Sequence, residues 1–101
     1  MTEPSVDAQL DEIWTRARPK MLARVDAIER AIDSLDGERD PEVISTGSSA
    51  AHKIAGLAGT FYLDDATRLA RSLERTLETR AAGNPAALRR QAGELRAMLE
   101  R

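Results

Sequence analysis

Five apolar residues, Met21, Val25, Ile28, Ile32 and Leu35, follow one another at steps of four, three, four and three. On a helix of about 3.6 residues per turn this spacing keeps all of them on one side, a seam against which other helices pack. Similar stripes recur further on. Val43, Gly47, Ala50, Ile54, Leu57, Ala58 and Phe61 form one, Ala66, Leu69, Leu73 and Leu77 with Ala70 beside them a second, and Leu88, Ala92, Leu95 and Leu99 a third. No stretch alternates polar and apolar residues for long, and β-branched residues are sparse, so no strand is expected. One Trp, one Tyr and one Phe leave the core to aliphatic side chains, which favours helices packed on helices.

Local signals set the expected boundaries. Leu10, Ile13, Trp14 and Ala17 share a stripe over roughly 5–18, with Ser5 or Asp7 as N-cap, and Pro19 suits the first turn of a new helix. Gly37 is expected to stop that second helix near Leu35. Asp40-Pro41-Glu42 reads as N-cap, first helical position and dipole-facing acid of the next, which runs to Phe61 or Tyr62. Asp64 or its neighbour should cap the following helix, and Gly83-Asn84-Pro85 is a stop and a restart. Short connections imply antiparallel neighbours. The expected fold is all-α: an antiparallel up-down-up-down four-helix bundle in one domain, 1–101, with an additional short N-terminal helix across one end. Arg24, Asp26, Glu29, Arg30 and Asp33 lie off the seam and read as a solvated face.

Composition excludes several functions. The chain has 101 residues, 42% hydrophobic, enough for one modest core. Fifteen basic against 17 acidic side chains, net −2, argue against nucleic-acid binding, which needs surplus Lys and Arg. With no cysteine there is no disulfide, thiolate metal site or Cys nucleophile. No apolar run approaches the roughly 20 residues of a membrane span, and the N-terminus does not resemble a signal peptide, so a cytoplasmic protein without membrane contact is expected. The acids are spread over exposed faces, so no metal or other cofactor is expected on this chain.

The one histidine, His52, lies in Ala51-His52-Lys53-Ile54-Ala55-Gly56-Leu57-Ala58-Gly59-Thr60-Phe61. It is two residues from Ile54, about 200° round the helix, and so should face solvent. Ser48, Ser49, Ala55, Gly56 and Gly59 surround it on that face, none of them bulky. Each helical glycine costs about 1 kcal/mol relative to Ala, and the two glycines fall on the histidine side, where they open the surface to an approaching protein. A Ser-His-Asp triad could be built only on His52 with Ser48 or Ser49, and no nucleophile elbow accompanies them. An exposed neutral imidazole can instead attack electrophilic phosphorus through a ring nitrogen. The resulting phosphoramidate is dianionic, and Lys53, about 100° round the helix, is the candidate cation for it. Arg68 and Arg71 on the next helix could add positive potential.

Together with Ala66 and the run from Leu69 to Glu74, this segment resembles the histidine-containing phosphotransfer (HPt) domains of two-component phosphorelays and chemotaxis kinases. The pattern is a phosphorylatable His52, an aliphatic Ile54 two residues on, Gly56 four on, Gly59 seven on, and Leu73-Glu74 on the next helix. The resemblance implies a four-helix bundle with the active histidine midway along one helix, here about 41–61. It implies a phosphocarrier with no kinase or ATP-binding activity of its own, relaying a phosphoryl group between receiver-domain aspartates through His52. Ser48, Ser49, Ala55, Gly56, Gly59, Arg68 and Arg71 would form the docking surface, with Mg²⁺ on the receiver. The implied partners are response-regulator receivers, with a hybrid histidine kinase as a further candidate. Two positions depart from the pattern. Many members carry Lys three residues after the histidine, where this chain has Ala55, and Gly after the Phe, where it has Tyr62.

Two rival readings follow from the same residues. One is an HPt-like module that docks or sequesters a receiver or kinase without transfer. The other is a plain scaffold, which would need a second exposed apolar stripe; only Leu22 and Ile44 stand outside the seams, and they read as ordinary exposed residues.

Overall fold

The computed structural model describes residues 6–79 and 84–101, with the side chains of Val6 and Asp7 left aside. Four helices follow in order: α1 (Val6–Asp36), α2 (Pro41–Thr60), α3 (Asp64–Thr79) and α4 (Pro85–Glu100). Around the bundle each helix neighbours the next in sequence and α4 closes on α1, while α1 and α3 meet only weakly across the diagonal. Cross-helix contacts give the directions. Arg96 pairs with Asp26 and Glu29, Arg89 with Asp33 and Asp36, and Arg18 Nη2 donates to the Arg101 carbonyl oxygen, so α4 runs antiparallel to α1. This is the expected up-down-up-down order.

The seams meet in one core. Met21, Val25, Ile28, Ile32 and Leu35 are buried from α1, Ile44, Ala50, Ala51, Ile54 and Ala58 from α2, Ala66, Ala70, Leu73 and Leu77 from α3, and Leu88, Ala92, Leu95 and Leu99 from α4. Gly47 lies where α2 presses closest on α1: a Cβ there would collide with the Cβ of Ala31 and stand 3.1 Å from the Ala27 carbonyl oxygen. Ile44 is 1% exposed, contrary to its reading as a surface residue, and Leu22 packs half-buried against the core. Of the expected N-terminal stripe, Ile13 is 52% exposed.

The largest departure is at Pro19. The expected separate N-terminal helix is instead the first part of α1, which passes through Pro19 without a break over 31 residues. At 1.5 Å per residue α1 is about 46 Å long, roughly twice the 16-residue α4. Pro19 is exposed, where its ring meets water instead of a neighbouring helix, and it removes only the hydrogen bond to the Thr15 carbonyl. The turn before it is held by one contact to another part of the chain and one within α1. Trp14 packs edge-to-face on Phe61 with centroids 5.0 Å apart, and the Arg18 guanidinium lies 5.9 Å from the Trp14 ring centre.

The helix ends follow capping chemistry. Asp40 accepts from the Glu42 and Val43 amides, and Asn84 from that of Ala86, each followed by Pro at the first helical position. Asp64 and Asp65 lie in the first turn of α3, where they favour the dipole; the residue before them, Leu63, already accepts the first helical bond from Thr67. Gly37 does not take the left-handed conformation expected of a stop; Arg39 does, at φ 54°, with its amide on the Ser34 carbonyl. Ser5 and Gly83 lie outside the described residues, and Asp7 falls inside α1.

The charges read as a solvated face are only partly that. The hydrogen bonds that Arg89 donates to Asp36 and then to Asp33 raise it above the ordinary guanidinium value, as those donated to Asp26 and then to Glu29 raise Arg96. These pairs tie α4 to α1. Among the described residues, no helix is long and apolar enough to cross a membrane.

Candidate functional site

His52 lies midway along α2 on the flank turned toward α3. Its ring is exposed, with 76% of the side chain accessible, and Nδ1 stands 2.7 Å from Oε2 of Glu74, whose side chain is 18% accessible. An ionised carboxylate only accepts, so Nδ1 carries the hydrogen and donates it. The neutral ring then has its lone pair on Nε2, the nitrogen not engaged by Glu74. The contact therefore selects a tautomer and fixes the ring plane.

The register of α2 on α3 produces this pairing. His52 and Glu74 each stand eleven residues from Leu63, and Gly59 and Thr67, close enough for a Gly59 Cβ to meet Thr67 Oγ1 at 3.9 Å, each stand four from it. Phe61-Tyr62-Leu63 sets this register. The Leu63 amide donates to the Ala58 carbonyl and the Tyr62 amide to that of Gly59, a Schellman closure that places Tyr62 at φ 59°. A glycine would adopt that conformation without strain.

Two grooves flank the His52–Glu74 contact. One, of ≈ 410 Å³, is lined by Ser45, Ser48, Ser49 and Glu78 besides the pair itself, with Ile44 and Leu77 at its base. The other, also ≈ 410 Å³, is lined by Ala55, Gly56, Arg71, Arg75 and Glu78. Ser48 and Ala55, expected in an open clearing, are buried at 8% and 4% exposure. The reason is that α2 packs on both α1 and α3, so its histidine-bearing flank is covered on one side by α3. Ser49, Gly56 and Gly59 are exposed, and a Cβ on Gly56 would meet nothing within 4 Å.

The cations divide differently from the expectation. Arg71 lines the groove beside His52, joined by Arg75, and neither guanidinium has a hydrogen-bond or ion-pair partner among the described residues. Arg68 instead pairs with Asp65 and lines a cleft of ≈ 740 Å³ with Trp14, Phe61 and Tyr62, which does not include His52. Lys53 lines a groove between α2 and α1, on the other side of α2 from Glu74. Sequence reasoning did not place Glu74 or Arg75 beside His52. The signal for Glu74 was available, because antiparallel helices about a short connection pair residues equidistant from its centre.

A family model described as Hpt domain matches residues 12–101. The chain is 46% identical over 70 residues to the chemotaxis protein CheA of Rhizobium meliloti (strain 1021), covering 69% of this chain and 9% of that protein. It is 37% identical over 67 residues to the chemotaxis protein CheA of Cereibacter sphaeroides, covering 66% of this chain and 10% of that protein. The aligned stretch is thus about a tenth of the length of these relatives. No solved structure gives a significant match.

Proposed function

Because the chain belongs to the Hpt domain family, we propose that it relays a phosphoryl group between receiver-domain aspartates, carried in transit on Nε2 of His52. The Nδ1–Glu74 hydrogen bond is the observation that carries this reading. It leaves Nε2 free, exposed and oriented, which is what in-line attack on an aspartyl phosphate requires. In the transfer the Nε2 lone pair forms the P–N bond as the P–O bond to the receiver aspartate breaks, and that aspartate leaves as a carboxylate. The ring becomes cationic with its hydrogen still on Nδ1, and Glu74 faces that developing charge. Return to a second receiver reverses the step.

Arg71 and Arg75 suit the dianionic phosphoryl group better than Lys53 does, since they line the groove that holds His52. They also offset the two nearby carboxylates, Glu74 and Glu78. The small residues Ser49, Gly56 and Gly59 leave room for a receiver to approach, and Ser48 and Ala55 form the floor. Mg²⁺, where needed, belongs to the receiver. Similarity to CheA proteins favours two-component signalling as the setting, with a histidine kinase as a further partner and the cytoplasm as the place.

The test mixes the protein with purified receivers carrying radioactive aspartyl phosphate. Label should move to this chain in an acid-labile, alkali-stable form and then to a second receiver. His52→Gln should take none while keeping its helicity. Label on His52→Gln, or none on the wild type from any receiver, overturns the reading.

A further inference from the structure

On the α1 side of α2 lies a groove of ≈ 620 Å³ in which three cations meet: Lys20 and Arg24, one turn apart on α1, and Lys53 on α2. Hydroxyls of Ser45, Thr46 and Ser49 complete its polar lining, with alanines between, and no acidic residue lines it. None of the three cations has a carboxylate partner among the described residues; Arg24 reaches only Met21 Sδ, at 3.8 Å. The groove is therefore a local concentration of positive charge on a chain whose net charge is −2. It is also continuous with the site, because Ser45 and Ser49 line both this groove and the one holding His52 and Glu74.

We propose that this groove docks an acidic element of the receiver, next to the receiver's phosphoryl-bearing aspartate, and that Lys20, Arg24 and Lys53 select the partner by charge. The inference rests on the relay reading above. A body seated with its phosphorus at Nε2 of His52 extends over the Ser45–Ser49 ridge onto the groove. Unpaired cations there attract an acidic surface and repel a basic one, which acts on encounter and selection more than on chemistry. This accounts for Lys53 standing one residue after the histidine and not three. At that position it joins Lys20 and Arg24 and leaves the phosphoryl group to the arginines of α3.

The experiment measures phosphoryl transfer from a panel of receiver domains labelled with radioactive acetyl phosphate, as a function of receiver concentration. Wild type is compared with Lys20→Gln/Arg24→Gln/Lys53→Gln at two ionic strengths. The half-saturating concentration of the best receiver should rise about tenfold, with the maximal rate within twofold, and added salt should weaken docking of the variant less than of the wild type. The lifetime of His52 phosphate, formed with phosphoramidate in the absence of any receiver, should be the same in both proteins. An unchanged half-saturating concentration overturns the proposal. So does a shortened lifetime with unaltered docking, which would assign Lys53 to the phosphate. If the wild type takes label from no receiver, the relay reading itself fails, a result distinct from either.

Discussion

Gly47 and Gly56 stand nine residues apart on α2 and meet opposite surroundings. Gly47 is buried against Ala31 and Ala27 of α1, whereas nothing approaches the place of a Gly56 side chain. Helix propensity alone would favour replacing either. Packing separates them. Gly47→Ala forces α1 and α2 apart and should lower stability by about 1–3 kcal/mol. Gly56→Leu should hold stability or raise it by up to about 1 kcal/mol while slowing transfer from a receiver at least tenfold, because the new side chain occupies the approach to His52. Chemical denaturation of both variants, with transfer kinetics on the second, checks this pair of expectations. A destabilised Gly56→Leu would mean that this glycine serves packing. At the same scale, the exposure of His52 was legible in its distance from Ile54. The burial of Ser48 and Ala55 was not, because a helical wheel gives the angle of a residue and not which flank a neighbouring helix covers.

At the scale of the element, capping signals were the most legible feature. Asp40-Pro41 and Asn84-Pro85 start α2 and α4 as their chemistry requires, since a capping oxygen and a proline at the first turn are local devices. The continuity of α1 was not legible. Pro19 has the same local meaning at a helix start and inside a helix held by tertiary contacts, and those contacts, Trp14 on Phe61 and Arg18 on the Arg101 carbonyl, join distant parts of the chain. The α2–α3 connection stores measurable strain. Tyr62 is 79% exposed and left-handed, so its side chain contributes little packing while its backbone is unfavourable for a residue with a Cβ. Tyr62→Gly should stabilise the protein by about 1 kcal/mol, raising Tm by roughly 4–8 °C. Thermal unfolding decides it, and a lowered Tm would show that the Tyr62 ring supports the turn.

At the scale of the whole molecule, the seams prescribe four helices and one core, and the short connections prescribe the order in which neighbours meet. The antiparallel register then brings Glu74 from α3 to His52 on α2, and Lys20 and Arg24 from α1 to Lys53. These constellations are properties of the assembled bundle. Each joins residues that no local window of sequence contains: the histidine and its glycines can be read from one segment, whereas the carboxylate partner follows only once α2 and α3 are paired about their connection. The central claim is that Glu74 holds Nδ1–H so that Nε2 carries the phosphoryl group, and a single histidine lets one measurement reach it. Long-range ¹H–¹⁵N correlation spectra of the His52 ring, recorded before and after phosphorylation with phosphoramidate, report the tautomer and the site of the P–N bond. The Nδ1–H tautomer is expected in the free protein, and phosphorus coupling at Nε2 in the product. An Nε2–H tautomer, or phosphorus on Nδ1, would contradict the claim.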